Sequence, residues 1–530
     1  MPHFVFLWIV RRNILWYTPF IGTQGKGARP LSGEHAMHKQ GFDNEKYLSM
    51  QSRHIAERIN QFGGKLYLEF GGKLFDDYHA SRVLPGFEPD SKIRMLKQLK
   101  DSVEVVVAIN AADIEQNKMR ADLGITYDAD VLRLIDAFRS MGLYVGSVAI
   151  TRYAGQPAAD AFKHRLENLG VPVYLHYPIA GYPHNISFIV SDEGYGKNQY
   201  IETTRPLVVV TAPGPGSGKM AVCLSQLYHE HKRGVKAGYA KFETFPIWNL
   251  PLKHPVNLAY EAATADLNDV NMIDPFHLQA YGETTVNYNR DVEVFPVLSA
   301  MFEKILGQSP YQSPTDMGVN MAGNCIFDDE AVCAAARQEI IRRYYTALCD
   351  RRQGRGSDEI IYKLELLMQQ AKVDASIRPV IAASLELAEQ TGAPASAIEL
   401  PDGTVVAGKT SDLMGSCAAT LLNSLKCLAG IDRDAHLISP AAIEPIQAVK
   451  VGPLGSVNPR LHSDEVIIAL AISATENPEA RKALDCLGQL RQCDAHSTVL
   501  LSTADYATYK KLGLHLTCEP QYETNKLFHR

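Results

Sequence analysis

The chain has 530 residues, of which 46% are hydrophobic and 21% are charged, and its net charge is −6. These values are typical of a soluble globular protein with two or three domains, and they exclude a general electrostatic attraction to nucleic acid or to an anionic membrane. The nine cysteines are scattered without a C-x-x-C pair, which argues against a zinc or redox site and indicates the reduced thiols of a cytoplasmic protein.

The first 40 residues do not continue any periodic element. Their apolar run Phe4–Val10 ends at Arg11 and Arg12, and it is far shorter than the roughly 20 residues that a membrane span requires. We therefore expect residues 1–40 to be a disordered extension that can be removed without loss of the fold, with Met37 as an alternative start.

Four apolar strands alternate with helical patterns in the next part of the chain. The strands are predicted at Lys65–Phe70, Val103–Ile109, Val145–Thr151 and Val171–Tyr177. This alternation predicts an α/β domain over residues 41–325 with a Rossmann-like, doubly wound parallel sheet. Polar residues follow the first strand at the edge where open α/β sheets bind ligands, and we take as candidates Lys73, Asp76 and Asp77.

The stretch LVVVTAPGPGSGKMAVCLSQLY (Leu207–Tyr228) predicts a buried strand, a glycine-rich turn and a helix. Free backbone N–H groups at such a turn, together with the start of the helix, favour a bound phosphate. The candidate phosphate-binding residues are Gly214, Gly216, Ser217, Gly218 and Lys219.

This pattern is close to the P-loop G-x-x-x-x-G-K-[ST], but it differs at both ends. Pro213 replaces the first glycine and Met220 replaces the final hydroxyl residue. Because Met220 cannot bind Mg²⁺ as a hydroxyl does, the sequence favours phosphate binding over ordinary nucleotide hydrolysis. The alternative is a tight strand-to-helix turn that needs glycine only for its positive φ angles.

A further strand is predicted at Val235–Glu243, and the weakly periodic stretch 244–291 after it is typical of a functional excursion. Phosphoryl transfer needs cations around the phosphate and a carboxylate for a metal or a proton. The candidate catalytic residues are therefore Lys241, Glu243, Asp274 and Arg290, although each one singly is more often a salt-bridged surface group. A nucleotide with Mg²⁺ is the candidate cofactor, and no metal site is predicted from the protein's own side chains.

Residues 326–392 are helical in pattern, and residues 393–530 predict a smaller α/β domain. Its strands are predicted at Thr404–Lys409, Val466–Ser473, Ser497–Ser502 and near His515. The segment GKTSDLMG (residues 408–415) is predicted to begin a helix, where it is either a capping box or part of a site. The candidates in this domain are Lys409, Asp412, His462 and Glu465.

Four long motifs carry a family resemblance. They are LYLEFGGKLFDDYHASRVLPGF (66–87), TRPLVVVTAPGPGSGKMA (204–221), GYAKFETFPIWNLPLKHPVN (238–257) and NYNRDVEVFP (287–296). These motifs resemble the uncharacterised bacterial family catalogued as domain of unknown function 1846, or uncharacterised protein family 0371. The resemblance runs from about Gly41 to the C-terminus.

The resemblance implies a Rossmann-like N-terminal domain, a helical segment and a C-terminal α/β domain of deaminase-like fold. Members are sometimes labelled ATP-dependent zinc proteases, which we reject for this chain. It has no H-E-x-x-H, and His229-Glu230-His231 cannot place two histidines one helical turn apart. It also lacks the H-x-E and P-C-x-x-C motifs of zinc deaminases.

Three functions remain open at the level of the sequence. The first is an enzyme that binds a nucleotide or phosphorylated metabolite and catalyses phosphoryl or related group chemistry. The second is a non-catalytic sensor of such a ligand, and the third is an enzyme whose chemistry lies in the C-terminal domain. We expect a small phosphorylated ligand as the partner and a homo-oligomer as the assembly, with no nucleic acid and no membrane.

Overall fold

The structure, a computed structural model, describes residues 39–72, 74–75, 77–120 and 123–524. The expectation for the extension therefore falls almost entirely outside the described residues, and so do the candidates Lys73 and Asp76. No helix in the described ranges is both long and apolar enough to cross a membrane.

The strands of the described residues are β1 (Leu66–Phe70), β2 (Val103–Asn110), β3 (Met119–Arg120), β4 (Ile125–Thr126), β5 (Tyr144–Thr151), β6 (Val173–Leu175), β7 (Leu207–Thr211), β8 (Gly238–Phe242), β9 (Asn271–Ile273), β10 (Val286–Tyr288), β11 (Gly318–Val319), β12 (Ala395–Glu399), β13 (Val405–Lys409), β14 (Asp494–Ser497) and β15 (His515–Cys518).

The α-helices of the same residues are α1 (Asn44–Gln61), α2 (Tyr78–Val83), α3 (Ser91–Gln98), α4 (Ala111–Glu115), α5 (Tyr127–Ser140), α6 (Pro157–Asn168), α7 (Ile186–Ile189), α8 (Lys219–Lys232), α9 (Pro255–Ala263), α10 (Pro275–Tyr281), α11 (Asn289–Leu306), α12 (Pro314–Met317), α13 (Asp329–Arg352), α14 (Asp358–Ala371), α15 (Pro379–Thr391), α16 (Ser416–Leu428), α17 (Pro440–Val451), α18 (Ser463–Ser473), α19 (Pro478–Asp485) and α20 (Thr503–Leu512).

The predicted parallel sheet is confirmed. Seven strands lie in the order β11-β8-β1-β7-β2-β5-β6, and every neighbouring pair is parallel. The chain runs from β1 through β2 and β5 to β6, returns to β7 between β1 and β2, and then continues outward through β8 to β11. The direction of winding therefore reverses at β7, and ligands of open α/β sheets bind beyond the carboxyl ends of the strands at such a point.

Helices cover both faces of this sheet, which is why its strands are apolar on both sides. On β1, Leu66 and Leu68 belong to a core shared with α1, α3 and α5. Tyr67 points to the opposite face and belongs to a core shared with α8 and α11. Because side chains alternate along a strand, every second residue of β1, β7 and β8 lies on the α8/α11 face.

The C-terminal strands form a separate mixed sheet in the order β13-β12-β14-β15, in which only β14 and β15 are parallel among these strands. Its main core contains residues of α16, α18 and α20. On the other face, Ala397 of β12 packs with Ile341 of α13 and Val380 of α15. These last two helices belong to the predicted helical segment, which forms α13, α14 and α15.

Two predicted strands of this domain are wrong. Val466–Ser473 is the helix α18, and its buried residues Val466, Ala469, Leu470 and Ser473 follow the helical spacing. A short apolar run cannot by itself distinguish a helix from a strand. The strand predicted at Ser497–Ser502 instead lies at Asp494–Ser497, where polar side chains hide the pattern.

The helix start predicted at residues 408–415 is confirmed, because α16 begins at Ser416 with Gly415 as its N-cap. The capping-box alternative is wrong, because no side chain caps this helix. The Ser411 hydroxyl accepts hydrogen bonds from the N–H groups of Leu413 and Met414, so it stabilises a turn before the helix.

Candidate functional site

Charged side chains meet at the carboxyl ends of β1 and β8. Glu69 and Lys241 are direct neighbours in the paired strands. The Lys241 ammonium lies 2.6 Å from Glu243 Oε1 and 2.5 Å from Asp291 Oδ2. Glu69 and Lys241 lie on the α8/α11 face by alternation, and Glu243 directly follows the end of β8. Asp291 comes from the first turn of α11. We call these four residues, Glu69, Lys241, Glu243 and Asp291, the acid–base cluster.

The acid–base cluster is largely buried and carries more negative than positive groups, and its members Lys241 and Asp291 keep a small exposed fraction. Glu69 and Glu243 each expose 8% of their surface. Burial raises the pKa of Glu243 to about 7; Lys241 opposes the rise, and Asp291 adds to it. Burial lowers the pKa of Lys241, but Asp291, Glu243 and Glu69 raise it by more, so the lysine stays charged. The cluster therefore combines a fixed cation with a carboxyl group able to exchange a proton near neutral pH.

The Glu69 carboxylate of the acid–base cluster is hydrogen-bonded to a tyrosine hydroxyl. The Tyr239 phenol donates a hydrogen bond of 2.7 Å to Glu69 Oε2 inside the core. Burial, followed by the charge of Glu69, raises the pKa of Tyr239 far above its ordinary value, so the phenol keeps its proton and remains a donor.

The glycine loop lies at the carboxyl end of the central strand β7, as predicted. Gly218 is the N-cap of α8 in the left-handed conformation, with φ 84°, and Gly216 also has a positive φ of 78°. Among the described residues, no hydrogen-bond acceptor faces the backbone N–H groups of residues 216–220. These groups and the helix dipole make the loop a place where an anion would be stabilised.

Packing against the neighbouring helix α5 and strand β5 also explains two of the glycines. A Cβ atom on Gly214 would lie 2.2 Å from the Tyr127 hydroxyl, and one on Gly218 would lie 3.1 Å from Thr151 Oγ1. The Thr151 hydroxyl donates a 2.8 Å hydrogen bond to the Ser217 carbonyl. These contacts fix the shape of the loop, but they do not require a lysine after its last glycine.

The glycine loop and the acid–base cluster are linked through α8. Cys223, one helical turn after Lys219, is buried in the core of the α8/α11 face. Burial raises the pKa of the Cys223 thiol, the negative charge of Glu69 raises it further, and the positive charge of Lys219 lowers it. Lys219 and Glu69 thus shift the pKa of the same thiol in opposite directions. The Lys219 ammonium itself has no hydrogen bond or ion pair with any described residue.

Arg152 is a residue of this region that the sequence did not single out. It directly follows Thr151 at the end of β5, is exposed, and adopts a left-handed φ of 53°. Such a conformation is strained for a residue other than glycine, and strained residues concentrate at ligand sites. Its guanidinium forms no ion pair with any residue in the described ranges, and the preceding residue, Thr151, contacts Gly218 of the loop.

Other predicted residues of the N-terminal domain have structural partners. The Asp274 carboxylate is fully buried, caps α10 through Phe276 and His277, and accepts a hydrogen bond from Thr315. Arg290 pairs with Asp269 at 2.7 Å, away from Lys241, whose partner is the next residue, Asp291.

Asp77 has a structural role of the same kind. It caps α2 through the N–H group of Ala80 and pairs with Lys92 at 2.7 Å. We therefore leave Asp77, Asp274 and Arg290 out of the candidate site.

The C-terminal candidates divide into two pairs. Lys409 and Asp412 are exposed and have no hydrogen bond or ion pair through their side chains within the described part of the chain. Glu465 accepts hydrogen bonds from the His462 N–H group and from Lys450, whereas the His462 ring bonds Asp505. Only His462 therefore has the environment of a functional group.

Three possible metal ligands also lie together, at the start of α9. Atoms of His254, Asp329 and Cys333 are within 4.8 Å of one another. The His254 Nδ1 atom accepts a hydrogen bond from the Val256 N–H group, so Nε2 carries the proton that it donates to Asp329 at 2.9 Å. Burial raises the pKa of Cys333 to about 11, which keeps it a thiol. The group is therefore built as a helix cap, with no lone pair of His254 available for a metal.

The fold and the site together define an α/β protein with a glycine loop at the switch point of a parallel sheet and a buried acid–base cluster beside it. Comparison with known sequences identifies the family of the chain. Residues 40–372 match the family described as domain of unknown function DUF1846, N-terminal, and residues 376–528 match the corresponding C-terminal domain. The chain belongs to this family, whose function is not established.

Relatives in Streptococcus pneumoniae are similar over almost the whole chain. The UPF0371 proteins of strains JJA and CGSP14 are each 59% identical over 494 residues, which is 93% of this chain and 100% of theirs. The UPF0371 protein of strain Hungary19A-6 is 58% identical over the same length. The proposed domain boundaries at residues 325 and 392 remain predictions.

Proposed function

We propose that this protein binds a nucleotide or another small phosphorylated metabolite at the glycine loop and that the acid–base cluster takes part in phosphoryl or related group chemistry. The observation that carries the proposal is Lys219. It follows the left-handed Gly218 at the start of α8, at the switch point of the sheet, and no described residue neutralises its charge. A phosphate against the N–H groups of residues 216–220 would supply the missing negative charge.

The acid–base cluster gives this binding site a chemical use. Glu243, whose pKa burial raises to about 7, can take or give a proton at neutral pH. Lys241 remains charged between Glu243 and Asp291 and can stabilise negative charge that develops nearby. Any Mg²⁺ that accompanies a nucleotide would need these carboxylates, because the residue after Lys219 is Met220.

Met220 itself favours a second candidate, a sensor that binds the ligand without hydrolysing it. Its side chain is half-buried and packs against the core of the α8/α11 face, so it offers no oxygen to a metal ion. If the protein is a sensor, Met220→Thr should introduce Mg²⁺-dependent tightening of nucleotide binding that the natural protein lacks.

The test begins with a thermal-shift screen of nucleotides and sugar phosphates. A ligand at 100 times its Kd should stabilise the fold by about 2.7 kcal/mol. Calorimetric titration with the best ligand then compares Lys219→Ala with Lys232→Ala, a matched control at the other end of the same helix, where Lys232 pairs with exposed Asp192. We expect a loss of about 1.5–3 kcal/mol, tenfold or more in Kd, only for Lys219→Ala. Equal affinities in all three proteins would disprove the phosphate site.

A further inference from the structure

A small pocket lies in the C-terminal domain, where three helices begin. The N-cap residues of α16, α18 and α20, which are Gly415, His462 and Ser502, all line it. Its volume is about 60 Å³, room for roughly four to six water molecules at about 10–15 Å³ each. The pocket is therefore of the size of a small ion or functional group, far below that of a whole nucleotide.

The His462 ring is held in one orientation at the wall of this pocket. Its Nδ1 atom lies 2.9 Å from Asp505 Oδ2, and Asp505 also accepts hydrogen bonds from the Ser463 N–H group, the Ser463 hydroxyl and the Ser502 hydroxyl. Asp505 is thus an ionised, fully bonded carboxylate. Nδ1 carries the proton toward it, and Nε2 has no partner among the described residues.

This arrangement is not a nucleophilic triad. The Ser502 hydroxyl lies 3.3 Å from the same Nδ1 atom that Asp505 occupies, and it donates its own proton to Asp505. A serine nucleophile would need the opposite ring nitrogen. Cys417, another residue of the wall, has its pKa raised to about 12 by burial and is therefore an inert thiol.

The charges that face His462 favour its cationic form. The hydrogen bond to Asp505 raises the pKa of His462, burial and Lys450 of α17 lower it, and Glu465 of α18 raises it. The other charged groups of the wall, Arg460 and Glu523, pair with each other at 3.0 Å. The Asp505 carboxylate occupies the starts of α18 and α20, because it accepts a hydrogen bond from the Ser463 N–H group and lies in the first turn of α20. What remains at the pocket is the imidazole edge and the positive end of α16, which no side chain caps.

We propose that this pocket is a second ligand site, which binds a small tetrahedral oxyanion with His462 as the hydrogen-bond donor. The ion would lie against Nε2 and the free N–H groups at the start of α16. The chemistry is shared by inorganic phosphate and by the phosphoryl group of a small ester. The site is independent of the glycine loop and does not rest on the function proposed for it.

The test uses the full chain carrying Lys219→Ala, which removes the other proposed phosphate site. Inorganic phosphate and phenyl phosphate are titrated by calorimetry, and sulfate is titrated across pH because its charge stays constant. We expect His462→Gln to weaken phosphate binding about tenfold or more and His436→Gln, at an exposed histidine of the same domain, to leave it unchanged. Binding of phosphate alone identifies the free ion as the ligand, and binding of both identifies the phosphoryl group.

A second measurement avoids substitution of the capping residue. In the Lys219→Ala protein, the His462 imidazole signal is followed by NMR through a pH titration with and without sulfate. Because a ligand that prefers the charged ring must raise its pKa, we expect an upward shift with sulfate and weaker sulfate binding as pH rises. An unchanged His462 titration, or equal phosphate affinity in the His462→Gln and His436→Gln proteins, would overturn the proposal.

Discussion

The acid–base cluster and the His462–Asp505 pair are built in opposite ways. At the parallel sheet, the acid–base cluster gathers one ammonium and three carboxylates from neighbouring strand ends and a helix start, and it is largely buried. At the mixed sheet, His462 and Asp505 come from the starts of two helices and pair one to one. Parallel strands bring the charged residues at their carboxyl ends to one edge of the sheet. The smaller sheet is mostly antiparallel, and its charged pair comes from the starts of two helices instead.

The number of carboxylates around the cation determines which group has a raised pKa in each region. In the acid–base cluster the excess of carboxylates has no counter-charge, so burial raises the pKa of Glu243 to about 7. In the C-terminal pair Asp505 keeps its charge because four donors surround it, and the pKa of His462 is raised instead. The unequal cluster therefore raises the pKa of an acid to near neutrality, whereas the equal pair raises the pKa of a base.

The largest expected effect comes from removing the cation of the unequal cluster. Lys241→Met leaves the buried Glu69 and Glu243 and the partly buried Asp291 without a positive neighbour. Breaking a buried pair in this way costs about 3–5 kcal/mol of unfolding free energy. Urea denaturation would measure it. The control Lys232→Ala removes an exposed pair with Asp192 and should cost less than about 1 kcal/mol. Equal losses in the two variants would contradict the burial argument.

The next effect is a pH dependence that belongs to Glu243. Its folded pKa of about 7 lies above its ordinary value of 4.5, so its protonated form stabilises the fold below pH 4.5 and that stabilisation is lost as pH rises toward 7. The loss has a limiting slope of about 1.4 kcal/mol per pH unit for one proton. Glu243→Gln cannot titrate, so the difference in unfolding free energy between variant and natural protein should grow from pH 5 to pH 7. A constant difference over that range would disprove the raised pKa.

The third expected effect, a smaller one, comes from removing the anion of the His462–Asp505 pair. Asp505→Asn exchanges charge-assisted hydrogen bonds for neutral ones, which should cost about 1.5–3 kcal/mol in urea denaturation. The pKa of His462, followed by NMR, should fall because its anionic partner is gone. Asp485→Asn, at an exposed aspartate of the same domain, should change neither quantity. A His462 pKa that survived the Asp505 substitution would show that the pairing is not its cause.

Local patterns predict the strands of the parallel sheet well. The apolar run at Leu207–Val210 becomes β7 with one residue added, because a strand buried on both faces must be apolar throughout. The same rule fails at Val466–Ser473, where every apolar residue fits a helix equally well. There the deciding signal is Glu465, just before the run, whose side chain accepts a hydrogen bond from the His462 N–H group at the N-cap of α18.

The candidate site could be predicted only in part. Lys241 and Glu243 were found because they end a strand, and Glu69 carries the same signal as a charged residue in the apolar stretch LYLEF. Asp291 could not be paired with Lys241, because that contact depends on how α11 packs against the sheet. Likewise, β1 lies beside β8 only because the chain reverses direction at β7, and no local sequence pattern encodes that order.

The smallest expected effect separates ligand binding from stability at the loop. Arg152→Gly relieves about 1–2 kcal/mol of left-handed strain, and the added freedom of glycine in the unfolded chain offsets about 0.5–1 kcal/mol of it. The unfolding free energy should therefore stay constant or rise by up to about 1 kcal/mol. If Arg152 is strained in order to face the ligand of the glycine loop, affinity for that ligand should fall in the same variant. Arg152→Lys keeps the charge and the strain and should lie closer to the natural protein in both measurements. A variant that gained stability with unchanged affinity would show that the strain of Arg152 serves the turn after β5 and not the ligand.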